Sequence, residues 1–519
     1  MWFLLLFSAL LFSCNWKGNN SDDEKKGGDY YQEQYRPQFH FSPEANWMND
    51  PNGLVWLDGE FHLFYQYYPD STVWGPMHWG HAVSSDMVHW KHLPIALFPD
   101  SLGYIFSGSA VVDTKNSSDL GTDQNRPVVA IFTYHDPMLE RSGSSKFQNQ
   151  GITYSNDKGR TWTKYAGNPV LKNPGIRDFR DPKVFWHEGS ERWIMILAVH
   201  DRVHLYSSPN LKEWTFESEF GKDTGAHTGV WECPDLFRLN VEGSDISKWV
   251  MLVSINPGGP NGGSATQYFV GDFDGHRFVS EDTKIRWIDW GRDNYAGVTW
   301  SNVPEIDGRR LFIGWMSNWD YATKVPTNKW RSAMTVPREL YLASENNSSL
   351  LMSRPAKEIE KLRRREIPFF KGLQSNIAGK EGYSVDLPLM QSELFLDFDL
   401  RIGSNDSILI ILENDLEEKL VITYNGNISK VIINRIGAGN SSFSDKFASV
   451  ISAPFNAGAE LKLHLFVDAA STELFVNDGR LVMTNLIFPS EGYARLRIFP
   501  GQNNILKEAK LYNLENIWQ

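Results

Sequence analysis

The 519-residue sequence has only two cysteines, Cys14 and Cys233. A fold stapled by disulfides is thereby excluded. Positive charge is also short: 51 Lys and Arg stand against 63 Asp and Glu, a formal net charge of −12. That balance argues against a nucleic-acid backbone as partner. It suits a neutral ligand and favours solubility. Helical periodicity is scarce. Between residues 38 and 340 almost nothing reads as helix, and PAKEIEKLRRR (355–365) is the one short candidate. No set of His, Cys and Asp has metal-ligand spacing, so neither a metal nor a cofactor is expected. The glycines of GGPNGG (258–263) do not lead from a strand into a helix, which argues against a phosphate cradle.

What is abundant is aromatic and strand-forming. The chain carries 20 Trp, 19 Tyr and 31 Phe, residues that fill cores and also contact the apolar faces of sugars. Short alternating runs such as GLVWL, EFHLFYQY, VVAIFTY, RWIMILAV and RLFIGWM are separated by Gly, Asn, Asp and Pro, an all-β pattern. A weak repeat recurs: SSDMVHW (84–90), SNDKGRTW (155–162), SSPNLKEW (207–214) and GDFDGHRF (271–278). In each, a strand ends in small polar residues, turns tightly and restarts at an aromatic. The spacing, on the order of 50–70 residues, is near that of a four-stranded propeller blade with its loops. Four copies and a closing blade predict a five-bladed β-propeller over residues 38–340. A large sandwich or jelly roll is the alternative. Residues 341–368 read as a connector. From 369 to 519 runs such as ELFLDFDL, KLVITY and ELKLHLFVD predict a C-terminal β-sandwich with no chemistry of its own.

At the N-terminus, residues 2–12 (WFLLLFSALLF) form an apolar run of signal-peptide length, too short for a bilayer span. Leu-Phe-Ser-Cys follows and resembles a bacterial lipobox, which would make Cys14 a lipidation site. Polar residues 15–29 read as a flexible tether, with 1–37 as leader and tether together. The expectation is an exported outer-membrane lipoprotein on the cell surface or periplasmic face, touching membrane only through Cys14. A periplasmic protein is the alternative.

Three carboxylates stand in unusual settings, each in a different inferred blade. Asp50 lies in NWMNDPNGL, Asp181 in FRDPK beside Arg180, and Glu232 in WECPDLF between Trp231 and Cys233. Singly, each has a plain reading as a turn or surface ion pair. Together they suggest paired acids with separated pKa values. Apolar neighbours of Glu232 should raise its pKa, as a general acid needs, while the polar turn around Asp50 should keep it ionised. Such a pair is the requirement for glycosidic bond cleavage. His78, His81, His89 and His92 read as structural.

WMNDPNGL, FYQY, WGPMHWGHAVSSDMVHW, FSGSAVV, FRDPK, WECPDLF and GWM occur in this order. The ordered set resembles glycoside hydrolase family 32, the β-fructosidases, over about residues 38–519. The resemblance implies Asp50 as nucleophile, Glu232 as acid/base and Asp181 as transition-state stabiliser. It implies Asn49, Gln66, Trp74, Phe106, Ser107, Arg180 and Trp315 around a fructose pocket, with Asp293 and Tyr295 as looser matches at its rim. The implied reaction is retaining, with carboxyls about 5–5.5 Å apart. The implied substrate is a fructan, levan or inulin, and sucrose. GPMHWGHAVS looks closer to levanases and exo-inulinases than to invertases. Endo cutting, fructosyl transfer to a sugar, and an inactive fructan-binding propeller are the alternatives.

Overall fold

The computed structural model of the protein describes residues 30–122, 124–345, 348–367, 382–401 and 406–518. Cys14 and the tether lie outside these residues.

Five antiparallel sheets follow one another along the chain, each with its earliest strand innermost. These inner strands are Asn46–Leu57, Tyr104–Val112, Phe179–His187, Val230–Asn240 and Tyr295–Thr299. The sheets are the blades of a propeller. The ring closes where Trp330–Arg331, from the segment between the second and third strands of the fifth blade, pairs in parallel with Asn46 and Trp47 of the first. A parallel bridge from Val55 to Ser301 joins the same two blades.

The sequence repeat has a structural cause. Each copy is the turn between the third and fourth strands of a blade. An Asx side chain accepts two backbone amides there: Asp86 from Val88 and His89, and Asp157 from Arg160 and Thr161. Asn210 does so for Lys212 and Glu213, and Asp274 for His276 and Arg277. The residue after each Asx has positive φ: Met87 63°, Lys158 61°, Leu211 63° and Gly275 98°. The short polar side chain stabilises a turn that the backbone alone disfavours. The next aromatic then starts the outer strand.

The stretch read as a connector is not one. Arg338–Glu345 pairs with Ser348–Pro355, and both belong to the fifth blade. The helical candidate forms only a 3-10 turn, Lys357–Leu362. Its arginines continue as the strand Arg363–Ile367, an edge of a sandwich sheet. Arg363 donates to the buried Glu393 at 2.6 Å and Arg364 to Glu515, so strand pairing outweighs helical propensity. A five-residue helix unforeseen in the sequence, Pro137–Arg141, is capped by Asp136.

Two six-stranded sheets form the C-terminal sandwich around a core that includes Leu396, Phe398, Ile410, Ile433 and Leu474. It packs directly on the propeller, with Phe466, Phe475 and Val482 sharing a core with Phe39, Phe41 and Trp300. Buried charges cross this interface. Arg338 meets Asp289 and Glu473, and His40 lies between Asp468 at 2.7 Å and Glu473 at 2.9 Å. Both carboxylates hold His40 protonated, with its pKa raised to about 9 against the opposing pull of burial. Such pairs are costly to break from one side, which fixes the two domains to each other.

Candidate active site

All five inner strands share one irregularity, and it lies at one level. Each has an extra residue relative to its neighbour: between Met48 and Pro51, Ile105 and Gly108, Arg180 and Lys183, Glu232 and Asp235, and Tyr295 and Val298. A bulge locally re-aims side chains that strict alternation would send into the sheet faces. Asn49 and Asp50, Phe106 and Ser107, Asp181, Cys233 and Ala296 fall within these five bulges. Proline follows in three of them (Pro51, Pro182, Pro234), at positions where a ladder N–H is dispensable. Asp181, Cys233 and Ala296 have φ of 64°, 45° and 52°. Strained backbone of this kind is held only by the surrounding blades.

The bulges bring the three carboxylates together from the first, third and fourth blades. Asp50 accepts from Asn49 Nδ2 at 2.9 Å and from Ser107 Oγ at 2.7 Å. Asn49 is itself fixed by Trp47 Nε1 at 2.7 Å. Asp181 accepts from the Cys233 amide at 3.0 Å, and its own amide donates to Thr133 Oγ1. The Cys233 thiol faces both aspartates, 3.6 Å from Asp50 Oδ2 and 3.7 Å from Asp181 Oδ2. Arg180 donates to Glu232 Oε1 through Nη2 at 3.0 Å and Nε at 3.3 Å, and Asp178 holds its other nitrogen at 2.7 Å. Tyr295 donates its hydroxyl to Glu232 Oε2.

Burial raises the Asp50 carboxyl above the ordinary carboxylate range. The hydrogen bond from Asn49 opposes this, Glu232 adds to it and Ser107 opposes it. Burial also raises Asp181; Arg180 pulls it down, while Glu232 and Asp50 push it further up. The turn at Asp50 is polar and recessed, and burial outweighs its hydrogen bonds, so the expectation of an easily ionised Asp50 gives way. The expected apolar cage around Glu232 is absent as well. Trp231 is fully buried in the core between the third and fourth blades, where its indole donates to Ala226 O at 2.7 Å. Glu232 instead faces a guanidinium and a phenol. Burial and Glu232 hold the Tyr295 hydroxyl protonated, so it remains a donor.

The remaining predicted residues divide. Gln66 is buried and donates to Ile105 O at 3.0 Å, joining the first and second blades beside Ser107. Trp315 is buried with Trp47, Tyr295 and Trp319, and its indole N–H has no hydrogen-bond partner among the described residues. Trp74 is 41% exposed and meets Phe106 edge to face. Phe106 stacks on His135 at 4.2 Å. Asp293 is the exception. It is fully buried at the domain interface, bonded to Tyr321 and Leu486 and ion-paired with Arg435 at 2.7 Å. It does not reach a pocket rim. Tyr295, two residues on, does enter the site.

Several supporting residues carry no local signal in the sequence. Trp319 stacks near Trp47 and Trp315, and its amide is held by Ser264. The loop bearing Ser264 is tied to the sandwich by Asn261, which donates to Ser452 O and accepts from Ser452 N. The four histidines are held locally: His78 by Pro76 O, His81 by His62, His89 by Asp86 and His92 by Tyr31.

A model of the glycosyl hydrolases family 32 N-terminal domain matches residues 40–355, and that of the family's C-terminal domain matches 358–514. The chain is 47% identical to the levanase of Bacillus subtilis (strain 168), covering 99% of this chain and 75% of that protein. It is 37% identical to an extracellular exo-inulinase of Aspergillus niger, covering 94% and 96%. The crystal structure of exo-inulinase from Aspergillus awamori superposes with a TM-score of 0.85 at 35% identity, covering 94% of this chain and 100% of that one.

Proposed function

Because the chain belongs to glycosyl hydrolase family 32 and is a glycosidase of the β-fructosidase type, we propose that it removes fructose from the nonreducing end of a fructan by double displacement. In this reading Asp50 attacks the anomeric carbon. Its two donors, Asn49 and Ser107, fix the carboxylate in one rotamer. Glu232 protonates the departing oxygen and then deprotonates water. Arg180 and Tyr295 hold its carboxyl between them. Asp181, braced by the Cys233 amide, grips sugar hydroxyls as positive charge develops at the ring. The free indole N–H of Trp315 offers a further donor to the sugar.

The observation that carries the proposal is the convergence of Asp50, Asp181 and Glu232 from three blades. Each of the two aspartates has its pKa raised in part by Glu232. The thiol of Cys233, the residue next to Glu232, lies 3.6 Å from Asp50 Oδ2 and 3.7 Å from Asp181 Oδ2, so the three groups line one small site. Levan and inulin are favoured over sucrose alone because the relatives reported above are a levanase and an exo-inulinase. Export is favoured by the extracellular relative, and a lipid anchor at Cys14 by the lipobox-like sequence.

The test is an early product profile on levan, inulin and sucrose separately, using protein lacking residues 1–28. Free fructose alone from a polymer is the expected result. A ladder of oligosaccharides would overturn exo action in favour of endo cutting. Fructosylated sucrose at high sucrose would favour transfer. No release from any of the three would leave only a binding role.

A further inference from the structure

A second cavity, of about 320 Å³, opens at the other end of the propeller axis. The active-site bulges lie near the start of the inner strands. This cavity is lined by their later residues, among them Val112, Val184, Trp186, Leu236 and Thr299. It is independent of the function proposed above.

Its charged residues are unequally satisfied. Lys183 and Asp235 form a buried pair at 3.1 Å, and Asp235 also accepts from Thr299. That pair neutralises itself. Arg310 has no such partner: it makes no hydrogen bond or ion pair with any described residue. Its guanidinium lies 5.2 Å from the Phe237 ring centroid, a weak contact for a group with five donors. Burial pulls its pKa below the ordinary value, with Asp235 only opposing. The Trp186 ring forms part of the wall, and its indole N–H is buried without a partner among the described residues. Lys115 stands at the mouth, its ammonium 4.3 Å from the Trp186 ring centroid and paired with no described carboxylate. Glu188 is exposed at the rim.

The Arg310 guanidinium is only partly buried and opens to the cavity, while the Trp186 indole N–H is sealed within the wall, so the guanidinium is the donor that a ligand can reach. A guanidinium without a carboxylate partner in a cavity wall suits a ligand that supplies acceptors. Three cations against two anions leave one positive charge, which matches a monoanion better than a dianion. A guanidinium binds a carboxylate through two parallel hydrogen bonds. The walls also include Phe185, Trp193 and Trp300, so the body of the ligand would meet aromatic surface. We propose that this cavity binds a small organic monocarboxylate, with its carboxylate on Arg310, Lys115 at the entrance and the Trp186 ring as wall. Binding there leaves the sugar site untouched, since none of these residues contacts it.

The probe is sodium benzoate, compared with sodium phosphate at constant ionic strength, with thermal midpoint and tryptophan fluorescence as readouts. Benzoate should give a saturable response in the wild type. Arg310→Gln should weaken apparent affinity at least tenfold, and Trp186→Phe and Lys115→Met several-fold. Sucrose hydrolysis should stay unchanged in all three. If Arg310→Gln fails to fold, Lys115→Met at the exposed mouth and Trp186→Phe, which keeps an aromatic wall, carry the test. Responses identical to wild type in these variants, an equal or stronger response to phosphate, or competitive inhibition of sucrose hydrolysis by benzoate would overturn the proposal.

Discussion

The backbone amide of Cys233 donates to Asp181 Oδ2 at 3.0 Å, joining the bulge of the fourth blade to that of the third. It is one of few groups compensating Asp181, a buried aspartate whose pKa is raised by burial and by two neighbouring carboxylates. A carboxyl whose folded pKa is raised contributes stability below its unfolded pKa, near 3.9, and that contribution is lost as pH rises through the folded value. Asp181→Asn should therefore raise the thermal midpoint at pH 7, by roughly 1–2 °C for a chain of this size. The gain should vanish below about pH 4, where both forms are neutral. Turnover should fall sharply in the same variant. Calorimetry at the two pH values checks the sign, and a lower midpoint at pH 7 would contradict it.

Ser107 is one of the side chains that favour the charged form of Asp50. If Asp50 must be ionised to attack, kcat/KM falls as pH drops through its raised pKa. Ser107→Ala removes a donor that lowers this pKa, so the acid limb of the pH profile should move to higher pH. At the optimum the loss should be roughly 10–100-fold, the worth of one hydrogen bond to a charged group. An unmoved acid limb would separate Asp50 from that titration.

Asp293 is a stability residue in this structure. Asp293→Ala would leave Arg435 buried without its carboxylate, at a cost of about 3–5 kcal/mol. KM for sucrose should stay within about twofold, since the side chain is turned toward the sandwich. Urea unfolding and steady-state kinetics on the same preparation distinguish this from a role at the pocket rim, which would raise KM and spare stability.

Gly53 closes the turn that aims Asp50. Its φ is 54°, and a Cβ there would lie 2.7 Å from Phe64 Cδ2 and 2.8 Å from Trp79 Cζ3. Gly53→Ala should cost about 1–3 kcal/mol from strain and overpacking together. It should also lower activity, because relief of the clash shifts the Asp50 turn. Wild-type stability in a urea titration would show that the aromatic rings yield freely.

Much of this was legible in the sequence because it is local. The four Asx turns announce themselves as small polar residues before an aromatic, and Asp-Pro and Cys-Pro mark three of the five bulges. Asp50, Asp181 and Glu232 could be found from those marks. What escaped was non-local. Asp293 and Tyr295 are two residues apart, yet Asp293 meets Arg435, 142 residues away, and Tyr295 meets Glu232. Nothing near residue 293 encodes that choice. The expected surroundings of Glu232 failed for the same reason. The flanking Trp231 is turned into the core, while Arg180 arrives from another blade. Residues 341–355 read as connector because pairing of Arg338–Glu345 within the fifth blade is decided by tertiary context.

The central claim is that Asp50 and Glu232 act from opposite faces of the sugar through a covalent intermediate. Its most direct test is the anomeric form of a trapped product. Sucrose is cleaved in water containing methanol, and the methyl fructoside is identified by NMR before it can rearrange. Double displacement predicts methyl β-D-fructofuranoside, with configuration retained. Methyl α-D-fructofuranoside would mean single displacement and would contradict Asp50 as nucleophile.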